Sequence, residues 1–187
     1  MSTEKTENEK KKSVAKEILN TLLYLATVFI LTLLFITFVA QRTKVIGSSM
    51  NPTVYDTESL ILEKVSYRFH DPERFDIVVF PFKHGNKQNF IKRVIGLPGE
   101  KVRIDDEGNI YINGEILEEN YGAEVIEDPG MAREEITIPE GEFFVLGDNR
   151  NNSMDSREEA VGLIKKSDIM GRAVFRIFPL TKFGGIK

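Results

Sequence analysis

The chain has 187 residues, no cysteine and a net charge of −4. The charge argues against a nucleic-acid partner, which would need a basic face, and the missing thiols exclude disulfides, cysteine nucleophiles and cysteine-ligated zinc. The length accommodates a tail, one membrane span and one globular domain with a core of its own.

Residues 1–17 are rich in Lys and Glu and read as a polar tail, disordered or a frayed helix start. From Ile18 to Gln41 no side chain is charged, a run of 24 residues. As a helix this run is roughly 36 Å long, enough to cross a hydrocarbon core of ~30 Å. It is too long for the apolar region of a cleaved signal sequence, and bulky Phe38 stands three residues before a cut after Ala40. The expectation is an uncleaved single-pass anchor. Lys10, Lys11, Lys12 and Lys16 hold its N-terminal flank in the cytoplasm. Arg42 and Lys44 weaken that contrast, but a long domain crosses largely regardless of its charge, so residues 42–187 belong outside.

Beyond Gln41 the signals are short strands: 60–62, 75–80, 90–95, 102–104, 110–112, 115–117, 136–138, 142–146 and 171–178. Gly, Pro and the Asn113-Gly114 turn punctuate them. The predicted fold is mainly β: one transmembrane helix, then an antiparallel β-sheet domain with a small inserted β-hairpin region at about 102–138.

Three segments carry groups able to do chemistry. Ser49, in Gly47-Ser48-Ser49-Met50-Asn51-Pro52-Thr53, reads as a turn residue or as a nucleophile. Lys92 lies on the strand 90–95, where alternation places it between Phe90 and Val94 on one face. There desolvation disfavours the charged amine and prepares it as a base; in solvent it would be an ordinary strand lysine. Arg93, on the other face, cannot serve, because it keeps its proton. Residues 147–157 hold Asp148, Arg150, Ser153, Asp155 and Arg157 in a loop after a hydrophobic strand. An Asp155–Arg157 ion pair would hold that loop, and the Ser153 hydroxyl could meet a nearby amine. His70 and His84 both sit in turns without a second ligand at metal spacing, which disfavours a metal site or a histidine-based triad.

With the membrane helix before them, these blocks resemble type I signal peptidases, the bacterial leader peptidases that cut signal peptides from exported proteins. Ser49 to Thr53 is similar to the nucleophile box and 75–80 to a structural strand box in which Phe75 stands where glycine is common. Residues 90–100 resemble the base box and 147–157 the last box. The resemblance implies Ser49 as nucleophile, Lys92 as general base, Ser153 as the residue orienting Lys92, and Asp148, Arg150, Asp155 and Arg157 as structural charges. It implies the Ser49 amide as oxyanion donor, since Gly47 stands where some members have a serine. It implies Val45, Ile46, Met50, Phe90 and Ile91 as walls of the substrate pockets. One span and a short connection between the Lys92 and Gly147 boxes look like the Gram-positive form. No cofactor or metal is implied. The implied partners are signal peptides of secreted preproteins, the bilayer and, nearby, the export machinery. Two rivals differ in class. A non-catalytic membrane-anchored β domain would tolerate loss of Ser49 and Lys92, and a self-cleaving Ser-Lys repressor protease would carry a sensor segment instead of a span.

Overall fold

The computed structural model describes residues 2–83 and 88–186, so the turn read at His84 lies outside the described residues. The chain forms two compact units that part between residues 39 and 40.

The first unit is one helix, α1 (Ser2–Phe38). The tail read as disordered or frayed is helical from Ser2, because straight-chain Lys and Glu lose little freedom in a helix. Val14–Phe35, with a mean hydropathy of 2.2, is long and apolar enough to span a membrane. Its apolar side chains are exposed all round, as a helix solvated by lipid requires. The hydroxyls of Thr21, Thr27 and Thr32 donate to the carbonyls four residues back at 2.8–2.9 Å, which satisfies them inside the helix.

The second unit is built of antiparallel strands. These are β1 (Ala40–Lys44), β2 (Ser59–Glu63), β3 (Ile77–Pro81), β4 (Asn89–Gly96), β5 (Lys101–Ile104) and β6 (Ile110–Ile112). They continue with β7 (Glu115–Ile116), β8 (Ile136–Thr137), β9 (Glu142–Leu146), β10 (Ile164–Lys165), β11 (Gly171–Phe178) and β12 (Gly184–Gly185). The main sheet has the order β1-β2-β11-β3-β4-β9-β10, with β12 on β11; β5 to β8 form a separate sheet ordered β7-β6-β5-β8. The expected mainly β architecture with a small inserted β region is the one observed.

Two boundaries differ from expectation. Ala40 and Gln41, read as the end of the span, pair with Glu63 and Leu62 in β1, so the helix stops at Phe38. The strand expected from Phe75 starts at Ile77, because Phe75 has a φ of +73°. That left-handed backbone costs a non-glycine residue roughly 1–3 kcal/mol. It turns the Phe75 carbonyl toward Arg93 Nη1 at 2.8 Å.

Register assigns the faces. Val78 pairs with Lys92 and Phe80 with Phe90, while Ile77 pairs with Arg93 and Val79 with Ile91. Val78, Phe80, Val94, Phe143 and Val145 form one core, and Leu60, Leu62, Ile77, Val79, Ile91, Met50 and Val54 form another. A third core joins the sheets through Ile95, Val102, Ile104, Ile138, Phe144 and Leu146. Gly96 sits at that junction, where a Cβ would overlap Ile138 and Val102. Truncating a fully buried core phenylalanine such as Phe143 to Ala costs about 3–5 kcal/mol.

Candidate active site

Ser49 lies in the turn-rich segment between β1 and β2, and Lys92 in the middle of β4. The turn is tied at several points: the Gly47 amide donates to Asp56 Oδ1 at 3.0 Å, Val54 N to the Met50 carbonyl at 2.8 Å, and Arg176 Nη2 to the Thr53 carbonyl at 2.5 Å. Met50 and Val54 anchor it in the core. These ties bring Ser49 onto β4, where Lys92 Nζ lies 2.8 Å from Ser49 Oγ.

Lys92 is 3% exposed. Its ammonium also donates to the Ile91 carbonyl at 3.1 Å and stands 4.9 Å from the centre of the Phe90 ring. Burial is the main influence and lowers its pKa to about 8 from 10.5; Asp155 and Asp148 pull it back up, and Arg157 pushes it down. The amine therefore gives up its proton far more readily than a solvated lysine. A buried amine of that kind can take a hydroxyl proton.

Residues 147–157 clasp the serine turn. Asn149 N donates to the Ser49 carbonyl at 3.0 Å, Asn149 Nδ2 to the Ser48 carbonyl at 3.1 Å, and Asn152 Nδ2 to Ser48 Oγ at 3.0 Å. Gly147 lies so close beneath that a Cβ there would overlap Ser153 Oγ and come within 2.5 Å of the Ser49 carbonyl oxygen. Buried ion pairs hold the clasp. Asp155 accepts from Arg157 at 2.9 and 3.0 Å and from Gly147 N at 3.0 Å. Asp148 takes two bonds of 2.8 Å from Arg93, and Arg150 Nη1 pairs with Glu119 at 2.8 Å.

Ser153, expected to orient Lys92, lies against Gly147. Its hydroxyl is buried without a hydrogen-bond partner among the described residues, and it makes no bond to Lys92. Asn152 and Met154 line the cleft beside Ser49, and Ser153 and Asn151 line a second cavity. The Ser153 hydroxyl and the Ser49 carbonyl oxygen both crowd the same side of Gly147. Sequence reasoning also passed over Asn149, Asn152 and the pairing of Arg93. The polar density of residues 147–157 was a signal for the first two; the partner of Arg93, 55 residues away, left none.

The cleft over the dyad has a volume of about 290 Å³. Val45, Ile46, Met50, Phe90 and Ile91 all line it. Ile46 is 86% exposed, whereas Val45, Met50 and Ile91 are buried, so the apolar floor is fixed and the rim is open. The Ser49 amide is engaged by no other described residue and remains a free donor at the nucleophile. His70 is exposed in its turn, its ring 3.2 Å from the Asp71 carbonyl and edge-on to Tyr67.

The model of the family described as signal peptidase, peptidase S26, matches residues 18–178. The chain belongs to this signal peptidase family. Among its relatives, a probable signal peptidase I-2 of Synechocystis is 42% identical over 86% of this chain and 73% of its own length. A signal peptidase I of Leptolyngbya laminosa is 44% identical over 79% of this chain and 73% of its own. A signal peptidase IB of Staphylococcus aureus is 34% identical over 90% and 93%. For a signal peptidase, a serine touching a buried lysine at the floor of an open apolar groove is the geometry that serine endopeptidase chemistry needs.

Proposed function

We propose that the chain is a membrane-bound serine endopeptidase that removes N-terminal signal peptides from exported preproteins, with Ser49 and Lys92 as its catalytic pair. The observation that carries the assignment is the 2.8 Å contact between Ser49 Oγ and an amine lowered to about 8 by burial. Neutral Lys92 takes the Ser49 proton as Oγ attacks the scissile carbonyl. A C–O bond forms, the C–N bond breaks, and the proton passes from Lys92 to the departing amine. Lys92, neutral again, takes a proton from water as its oxygen attacks the acyl carbon; the bond from that carbon to Oγ then breaks and Lys92 returns the proton to Ser49. The unengaged Ser49 amide supports a role as oxyanion donor at both tetrahedral stages.

The substrate lies extended in the cleft, its small side chains one and three residues before the cut set against the floor of Val45, Met50 and Ile91. Ile46 and Phe90 form the rim, and Asp148, Arg150, Asp155 and Arg157 hold the loop that clasps the nucleophile. Ser153 acts on Lys92 by turning its unpartnered hydroxyl toward the amine; its burial against Gly147 supports this.

Residues 1–17 form a cytoplasmic tail, the apolar part of α1 a single span, and the β unit an extracytoplasmic peptidase domain. The lysines toward its N-terminal side and the 22-residue length of the span support that topology. An anchor in the same bilayer as the substrate's apolar segment sets the enzyme beside the export machinery. The decisive test is to incubate the detergent-solubilised protein with a preprotein and sequence the new N-terminus, with Ser49→Ala as control. A new N-terminus after small residues at the two expected positions is the expected result, and an uncut preprotein would overturn the assignment.

A further inference from the structure

The inserted β region does more than decorate the main sheet. Residues 119–131 run along the back of 147–157 as a strap. Ala123 N donates to the Asp148 carbonyl at 2.8 Å, Asn151 Nδ2 to the Val125 carbonyl at 2.9 Å, and Glu127 N to Asn151 Oδ1 at 3.0 Å. Met131 N donates to the Arg157 carbonyl at 2.8 Å, and Arg157 Nη1 to the Asp128 carbonyl at 3.1 Å. The Tyr121 ring lies 3.7 Å from the guanidinium carbon of Arg93, the neighbour of Lys92.

One charge fastens this strap to the site. Arg150, 3% exposed, pairs with Glu119 at 2.8 Å, and Glu119 is itself 10% exposed. The second oxygen of Glu119 accepts from Tyr121 N at 2.7 Å and Gly122 N at 3.3 Å, so one carboxylate closes the strap's own turn and neutralises the arginine. Arg150 Nε in turn donates to the Gly147 carbonyl at 3.0 Å. Gly147 is the residue packed against Ser153 and the Ser49 carbonyl. A buried guanidinium without its carboxylate draws on other oxygens or on water, and the nearest linkage to give way is the one to Gly147.

We infer that Glu119 is a positioning residue for peptide-bond cleavage, acting through Arg150 and Gly147 on the placement of Ser49 against Lys92. The inference rests on the Ser49–Lys92 reading of the site. Glu119 touches neither of those side chains, so its effect falls on turnover and not on substrate affinity.

The test uses the full-length protein in detergent with a preprotein substrate, comparing wild type, Glu119→Gln, Arg150→Met and the double variant, each assayed below its unfolding temperature. Glu119→Gln keeps the shape and removes the charge. It is expected to lower kcat at least about tenfold with KM within about twofold, and to move the alkaline-rising limb of kcat upward as the loosened loop admits water to Lys92. In the Arg150→Met background the same change is expected to have little further effect, because its target is gone. An unchanged kcat and pH limb, or equal fold-losses in both backgrounds, would overturn the inference. So would a loss confined to unfolding temperature. Ser49→Ala, run in parallel, separates the two levels: activity surviving in that variant removes the reading of the site, whereas its abolition beside a fully active Glu119→Gln removes only the role of Glu119.

Discussion

Arg93 and Asp148 meet through two 2.8 Å hydrogen bonds with neither side chain exposed to solvent. Arg93 follows Lys92 on β4 and points to the opposite face, so the strand that presents the amine also grips the residue after Gly147. Asp148→Asn would leave the guanidinium buried without its full counter-charge. The expected loss is about 3–5 kcal/mol of stability, read as a lowered thermal transition in detergent. Replacing both partners by apolar residues of similar volume should cost far less, and a double variant no better than Asp148→Asn would contradict the desolvation argument.

Ser49→Ala and Lys92→Ala are each expected to abolish preprotein cleavage in a folded protein. Lys92→Arg should be as inactive, because a guanidinium does not release its proton at working pH. Cleavage assays on purified variants, with circular dichroism to verify folding, decide the matter. Full-rate processing by any of the three would sink the dyad.

The cleavage rate should rise with pH through a limb near 8, the value to which burial lowers Lys92. The same group shapes stability in a direction fixed by its shift. Its folded pKa lies below its unfolded value, so between about 8 and 10.5 the unfolded chain binds a proton that the folded chain does not. Stability from this group therefore increases as pH climbs through that window, and below it a cost of about 3 kcal/mol is fully present. Lys92→Met is expected to raise the unfolding temperature at pH 7, with the gain shrinking above pH 10. A rate limb at 10 or higher, or a gain independent of pH, would mean a solvated lysine.

Changes one or three residues before the scissile bond should matter more than changes two residues before it. Side chains of an extended substrate alternate, and the buried floor of Val45, Met50 and Ile91 meets only one set. A substrate scan with Ala, Leu and Phe at each position measures this. Equal tolerance at all three positions would refute the pocket assignment and leave the serine-lysine chemistry intact.

Much of this layout is legible in the residues themselves. The uncharged run announces α1, and period-two apolar runs announce the strands that carry core, including the flanks that bury Lys92. β1 escapes such reading because Gln41-Arg42-Thr43-Lys44 is polar and becomes a strand only by pairing with β2. The surroundings of Ser153 are hidden for another reason. They depend on the local path of a loop held by residues 119–131, a contact that no spacing encodes. Arg93 shows the same limit: its type and face are readable, but its partner is chosen by the fold.

β11 is among the last strands in the sequence, yet it occupies the interior of the main sheet, between β2 and β3. Through Arg176 it holds the Thr53 carbonyl of the serine turn, a contact 123 residues apart along the chain. Until that strand has emerged and inserted, β2 and β3 lack their shared neighbour and Ser49 is not drawn onto β4. A partly made chain is therefore expected to hold an unactivated serine and a lysine of ordinary basicity. The order of synthesis thus delays reactivity, because the pairing of Ser49 with Lys92 arrives only with β11.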